Sequence, residues 1–250
     1  MVSRANQDTQ KPKKFIRKLL KLEKLMKNLD LSSKGNELIK LYQKMANEGY
    51  MRNDGVKVEV AYSDFELKKF RHICRDHFFQ HNIKTVLDYG AGGSDWENDS
   101  FEPIEKKSAK QFFNLDQVTC FEPARNLFNK KKADCVVCMD VLEHIFITDV
   151  PKIVEELFSL AGKLLIVNVA CYKAAALLPN GENAHVTVRS PDWWKGVFDT
   201  VSMRHKNTEV VLICSTSFTS GFIFDSFKAD DWDTSECFST EGGVKKFQPN

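Results

Sequence analysis

With 250 residues, 42% of them hydrophobic and 28% charged, the chain can bury a substantial core and has an ordinary globular composition. No apolar run reaches the length of a membrane span and the N-terminus lacks a signal-peptide core, so a cytoplasmic protein is expected. The net charge of +2 hides an asymmetry, because residues 1–50 carry twelve Lys or Arg against five Asp or Glu.

Much of that basic excess falls on "KKFIRKLLKLEKLMKNLD", where Phe15, Leu19, Leu22, Met26 and Leu29 recur at helical spacing with lysines on the other side. The pattern predicts an amphipathic helix. Its basic face is either a docking surface for a nucleic acid or another anionic partner, or simply a solvated helix face, the commoner meaning of such a run. A second helix is predicted over "GNELIKLYQKMANEGY", ending at Gly49. "NDG" at 53–55 signals a turn, and "VKVEVAY" alternates like a short strand. Ser63 and Glu66 form an S-x-x-E capping pattern that opens a helix running to about Gln80.

From Lys84 the rhythm changes to strands alternating with helices. "TVLDY", "VTCFE", "DCVVCMD" and "KLLIVNVA" read as strands; "SAKQFFNL", "VPKIVEELFSLA" and "PDWWKGVF" read as helices between and after them. "TVSMRHKNTEVVLICSTSF" reads as two final strands joined at Lys-Asn-Thr, close enough to pair as an antiparallel hairpin. Apolar runs without polar alternation predict a parallel sheet covered on both faces. Residues beyond about 218 read as a polar, loosely attached tail. The seven cysteines lie mostly in apolar runs and read as reduced, buried thiols. Cys135 and Cys138, three apart on a strand, should face opposite sides of the sheet, so no shared metal is expected there.

In such a sheet, ligands lie beyond the carboxyl ends of the strands where strand order reverses. Four ends carry polar groups: Asp88-Tyr89-Gly90-Ala91-Gly92, Glu122-Pro123, Asp140-Val141-Leu142 and Asn168-Val169. Gly90-x-Gly92 is followed by Asp95 where a dinucleotide site wants a third glycine, and the P-loop Lys and Ser/Thr are missing. The long acidic stretch from Ser94 to Glu105 also suits a phosphate poorly. It suits a ligand with a positive centre. Taken singly, each end has a plainer reading: a tight turn at the glycines, a solvated strand end at Glu122, and a local helix start at Glu143-His144.

Together, "VLDYGAGGSDW", "VTCFEPA" and "ADCVVCMDVLEHI" resemble the Rossmann-type, class I S-adenosylmethionine-dependent methyltransferases over residues 84–217. With "NAHVTVRSPDWW" the set particularly resembles small methyltransferases of phage and polysaccharide-modifying contexts. The resemblance implies an α/β fold with a doubly wound, mostly parallel sheet and a C-terminal antiparallel hairpin. A mainly helical lobe at 1–83 would precede it, and a tail at 218–250 would follow. It implies S-adenosylmethionine as cofactor, with Asp88, Tyr89 and the Gly90-Ala91-Gly92 backbone against its methionine part. Glu122, beside Pro123, would take the ribose hydroxyls, and Asp140, Val141 and Leu142 would line the far side. One departure stands out: only eleven residues separate Glu122 from Asp134. That is too short for a helix and a further strand, so the sheet should be cut short at that edge unless "VKVEV" fills it.

On the acceptor side, His185 follows the fourth strand and is the candidate catalytic base, with fixing the loop as an equal reading. Tyr172, Asn183 and Arg189 are candidate walls, while Trp193 and Trp194 should pack a helix onto the sheet. The expected acceptor is a small or glycan-like molecule methylated on O or N. Two alternatives stay open. A nucleic-acid (RNA) methyltransferase would use the basic arm, although the Asn/Asp-Pro-Pro-Tyr/Phe and Pro-Cys signatures of DNA enzymes are absent. A cofactor-binding protein without activity would keep the fold alone.

Overall fold

The computed structural model describes residues 29–59, 65–219, 221–228 and 245–246. All but the last two residues of the basic helix expected over 13–30, the Ser63 end of the capping pattern and most of the tail lie outside these residues. The described helices are α1 (Ser33–Glu48), α2 (Phe65–Lys69), α3 (Arg71–Gln80), α4 (Ala109–Phe112), α5 (Val150–Leu160) and α6 (Pro191–Ser202). The strands are β1 (Tyr50–Arg52), β2 (Lys57–Val58), β3 (Thr85–Tyr89), β4 (Gln117–Glu122), β5 (Leu127–Phe128), β6 (Ala133–Met139), β7 (Ala161–Ala170), β8 (Ala176–Leu177), β9 (Glu209–Ser215), β10 (Gly221–Phe227) and β11 (Lys245–Lys246).

Eight strands form the main sheet in the order β11-β10-β9-β7-β6-β3-β4-β5. From β4 to β9 every pairing is parallel; β5, β10 and β11 join antiparallel. Numbered from β3, the strands β5 to β9 run 3-2-1-4-5-6, the doubly wound Rossmann-like order, with its reversal between β3 and β6. Apolar side chains feed both faces. Along β6, Val136 and Cys138 join the layer holding Leu157, Phe158, Trp194 and Phe198 of α5 and α6. Cys135 and Val137 join the opposite layer, with Phe70, Cys74 and Phe78 from α3 and its leading residue. The two cysteines thus face opposite sides, as their spacing requires.

Helix α4 has the full reciprocal cap predicted by good N-terminal chemistry: Ser108 accepts from the Gln111 amide while Gln111 accepts from the Ser108 amide. The short edge is real. After β4 the chain makes one 3₁₀ turn at Pro123–Arg125, places Asn126 in the left-handed region (φ 61°) and returns as the two-residue β5. "VKVEV" does not fill that edge, because β2 pairs with β1 in a separate three-stranded sheet, β2-β1-β8.

The closing hairpin exists but sits later than its sequence suggests. Thr200 and Val201 continue α6, because Trp194, Phe198 and Val201 share the face that packs on the sheet. The hairpin strands are β9 and β10, and Phe222 packs edge-on against Phe70 with ring centres 5.1 Å apart. Residues 221–227, expected in the tail, therefore complete the sheet.

Helix α1 is latched to α5. Asp149 stands at the N-cap of α5 but caps nothing there; its carboxylate accepts from the Ser32 amide (2.9 Å) and hydroxyl (2.7 Å). Asp149→Ala should strand those donors and cost about 1–2 kcal/mol, read as a lower urea midpoint at unchanged slope.

Candidate functional site

The strand reversal opens a cavity of about 820 Å³ beyond the carboxyl ends of the parallel strands. At the end of β3 the chain turns through Gly90 (φ 79°) and Gly92 (φ 55°), conformations that favour glycine. The amides of Gly90 and Ala91 both donate to the Phe121 carbonyl, at 2.8 and 3.1 Å. A Cβ on Gly90 would meet Val141 Cγ2 at 2.4 Å, so the turn is held between β4 on one side and the end of β6 on the other.

Glu122 bridges the neighbouring strand ends. Its carboxylate accepts from the Gly92 amide (2.9 Å) and the Ala124 amide (2.8 Å). Burial raises its pKa, and those two amides oppose the rise. A carboxylate has about four acceptor positions, so two remain for a ligand's hydroxyls. Asp88 is used differently. It accepts from the Trp96 indole N–H at 2.7 Å and from the Ser94 side chain, pinning the loop that follows the glycines.

At the end of β6, Asp140 takes a left-handed backbone (φ 57°), a rare conformation for a non-glycine residue. The next turn is a 3₁₀ helix, Leu142–His144. Glu143 is wholly buried and accepts from the Ala170 amide at 2.6 Å. Burial, then the nearby Asp140 charge, pushes its pKa well above the carboxylate range. His144 turns the other way, onto the cavity. Its Nδ1–H donates to the Ala184 carbonyl (2.8 Å), and burial followed by the nearby His185 pushes its pKa down to about 4.

His185 also lines the cavity, and its Nδ1–H donates to the Tyr172 carbonyl at 2.6 Å. Both imidazoles are thereby fixed with Nε2 carrying the lone pair. Their rings meet edge-on, centres 4.9 Å apart. The loop that carries His185 is braced from within. Asn183 accepts from the Ala174 and His185 amides and donates to the Ala174 carbonyl.

Helix α1 roofs the cavity. Its Leu38, Ile39 and Tyr42 line the space, Tyr42 donates to the Ala184 carbonyl at 2.7 Å, and Gln43 donates to the Pro123 carbonyl at 3.1 Å. Strand β1 pairs with β8 inside the same loop, so the segment before the main sheet and the segment carrying His185 are joined.

Of the sequence-chosen residues, Asp88, Tyr89, Gly90, Ala91, Gly92, Glu122, Pro123, Asp140, Val141, Tyr172 and His185 all line this one cavity. Leu142 does not: it is fully buried in the core layer of α5 and α6, because the 3₁₀ turn directs it inward. Asn183 serves as the loop brace. Arg189 is exposed and lies over the Trp193 ring, and Trp194 is fully buried in the core. His144, Tyr42 and Trp96 are site residues that sequence reasoning passed over. The Glu143-His144 pair was visible, but only the 3₁₀ turn separates a buried Glu143 from a cavity-facing His144. No family model matches the chain, and neither curated proteins nor solved structures give a match.

Burial pushes Asp88 up to about 7, against the opposing Trp96 hydrogen bond. A carboxyl whose folded pKa exceeds its unfolded value takes up a proton on folding, so stability falls as pH rises from about 4 to 7. Asp88→Asn keeps an acceptor for Trp96 and removes the charge. Urea melts should show no gap between the proteins below about pH 4, and a gap growing in the variant's favour to roughly 2–4 kcal/mol above about pH 7.

Proposed function

We propose that the chain is an S-adenosylmethionine-dependent methyltransferase acting on an oxygen or nitrogen of a small or glycan-like acceptor. The observation that carries this reading is the convergence of Gly90–Gly92, Glu122 and Asp140–Val141 on one cavity at the strand-order reversal. The cavity suits the cofactor in size, since pockets for such molecules run from about 300 to 1,000 Å³. Its donor set suits the cofactor's chemistry as well. Glu122 has acceptor capacity left for a ribose diol, and the left-handed glycine turn lets backbone approach the methionine portion closely. The acids Asp88, Asp140 and Glu66 around the cavity favour a ligand with a positive centre.

The cofactor supplies a methyl group on a sulfonium, whose transfer is an in-line displacement. The protein's part is to align donor and acceptor, exclude water and deal with the acceptor's proton. Alignment falls to the glycine turn and Glu122 on one side. Exclusion falls to α1, whose apolar residues roof the space. We assign the acceptor's proton to His185, because Tyr172 fixes its tautomer with the unprotonated nitrogen free. The α1 roof and the braced loop of residues 171–187 favour a compact acceptor over a duplex nucleic acid.

Titration calorimetry with S-adenosylhomocysteine tests the cofactor assignment. The full chain should bind one equivalent, and Glu122→Ala should weaken binding about tenfold to a hundredfold through loss of charge-assisted hydrogen bonds, with near-UV dichroism unchanged. A folded parent protein that binds neither this product nor S-adenosylmethionine contradicts the reading.

A further inference from the structure

We propose that Asp140, His144 and His185 bind a divalent transition-metal ion at the acceptor end of the cavity, and that this ion takes an acceptor oxygen as a further ligand. The first part stands on these three side chains alone; the second rests on the methyl-transfer reading and makes His185 a ligand in place of a base, the ion acidifying an acceptor hydroxyl whose proton passes to solvent.

The three residues come from two elements that meet only in the fold. Asp140 and His144 flank the 3₁₀ turn after β6, and His185 comes from the loop after β8. One ligand atom from each lies within 4.8 Å of the other two. Two imidazoles and one carboxylate form a donor set that suits zinc, iron(II), cobalt or manganese and leaves coordination positions open. The geometry of the histidines supports ligation beyond mere proximity. Each donates Nδ1–H to a backbone carbonyl, Ala184 for His144 and Tyr172 for His185. That is the arrangement by which protein carbonyls orient metal-binding imidazoles and raise their basicity. The Ala184 carbonyl is itself shared with the Tyr42 hydroxyl from α1, so the orientation of His144 is tied to the roof.

The left-handed backbone of Asp140 turns it at the strand end. Donors around an ion with bonds of about 2.1 Å stand roughly 3.3 Å apart, so the three ligand atoms must draw together to close the site. Glu66 also lines this part of the cavity, while Lys69 turns to Glu66 and the Phe218 carbonyl.

A second group, His77, His81 and Glu209, lies apart on α3 and β9. There Glu209 already accepts from Ser226 and faces Lys228, which leaves a cation little to gain. It serves as the internal control.

The experiment uses the full chain stripped by a chelator and titrated with Co²⁺, followed by its ligand-field absorption and then by Zn²⁺ competition. The parent should bind one ion through this site. His185→Gln and Asp140→Asn should each weaken binding at least about a hundredfold, while the double variant His77→Gln, His81→Gln keeps it. Near-UV dichroism and S-adenosylhomocysteine affinity are measured on every variant. A folded parent without a Co²⁺ signal overturns the proposal, as does a signal lost only in the His77, His81 variant. Retained Co²⁺ binding without cofactor binding would leave the metal site standing and remove the methyl-transfer reading. Cofactor binding without Co²⁺ binding would do the reverse.

Discussion

The reversal of strand order between β3 and β6 is the constraint on which the rest of the molecule depends. The chain leaves one of these parallel neighbours toward β4 and the other toward β7, so neither of these two connections packs over the crevice between their carboxyl ends. The crevice is narrow enough that Gly90 and Val141 touch across it, and no side chain larger than hydrogen fits at the glycine. Everything functional hangs on that pinch. Glu122 is positioned because it must satisfy the amides that the turn leaves open. Asp140 is positioned because the strand after the crevice has to end in a left-handed residue before the 3₁₀ turn begins.

The cavity so formed is closed by chain from outside the parallel sheet. Helix α1 is fixed at one end by Asp149, which gives its carboxylate to Ser32, and in the middle by Tyr42 on the Ala184 carbonyl. The small sheet β2-β1-β8 joins the same two segments through backbone hydrogen bonds. Any movement that opens the roof must therefore disturb the loop carrying His185. Access to the cavity and placement of the loop carrying His185 are thereby coupled.

Much of the sheet and the strand-end lining of the cavity was legible in the chain. Unbroken apolar runs marked the parallel strands, and acids at the ends of β3, β4 and β6 marked the crevice. The parts that were not legible share a cause. Val201 has strand character, yet it continues α6 because it completes a packing face with Trp194 and Phe198. Phe222 and Phe227 lie in the apolar run "GFIFDSF", read together with the polar residues that follow it, and partners across the sheet bury them. Leu142 and His144 are two residues apart, and the 3₁₀ turn sends one to the core and the other to the cavity. A strand continuation would have put both on one face. In each case a tertiary contact, or a turn type that only the neighbours decide, outweighed local propensity.

A crystal structure of the chain grown with S-adenosylhomocysteine tests the central claim most directly. The account predicts ligand density in the crevice between β3 and β6, with the ribose hydroxyls in hydrogen-bond reach of Glu122 and the methionine portion over Gly90–Gly92. Density at another place, or a ligand in the cavity with its ribose turned away from Glu122, would contradict it.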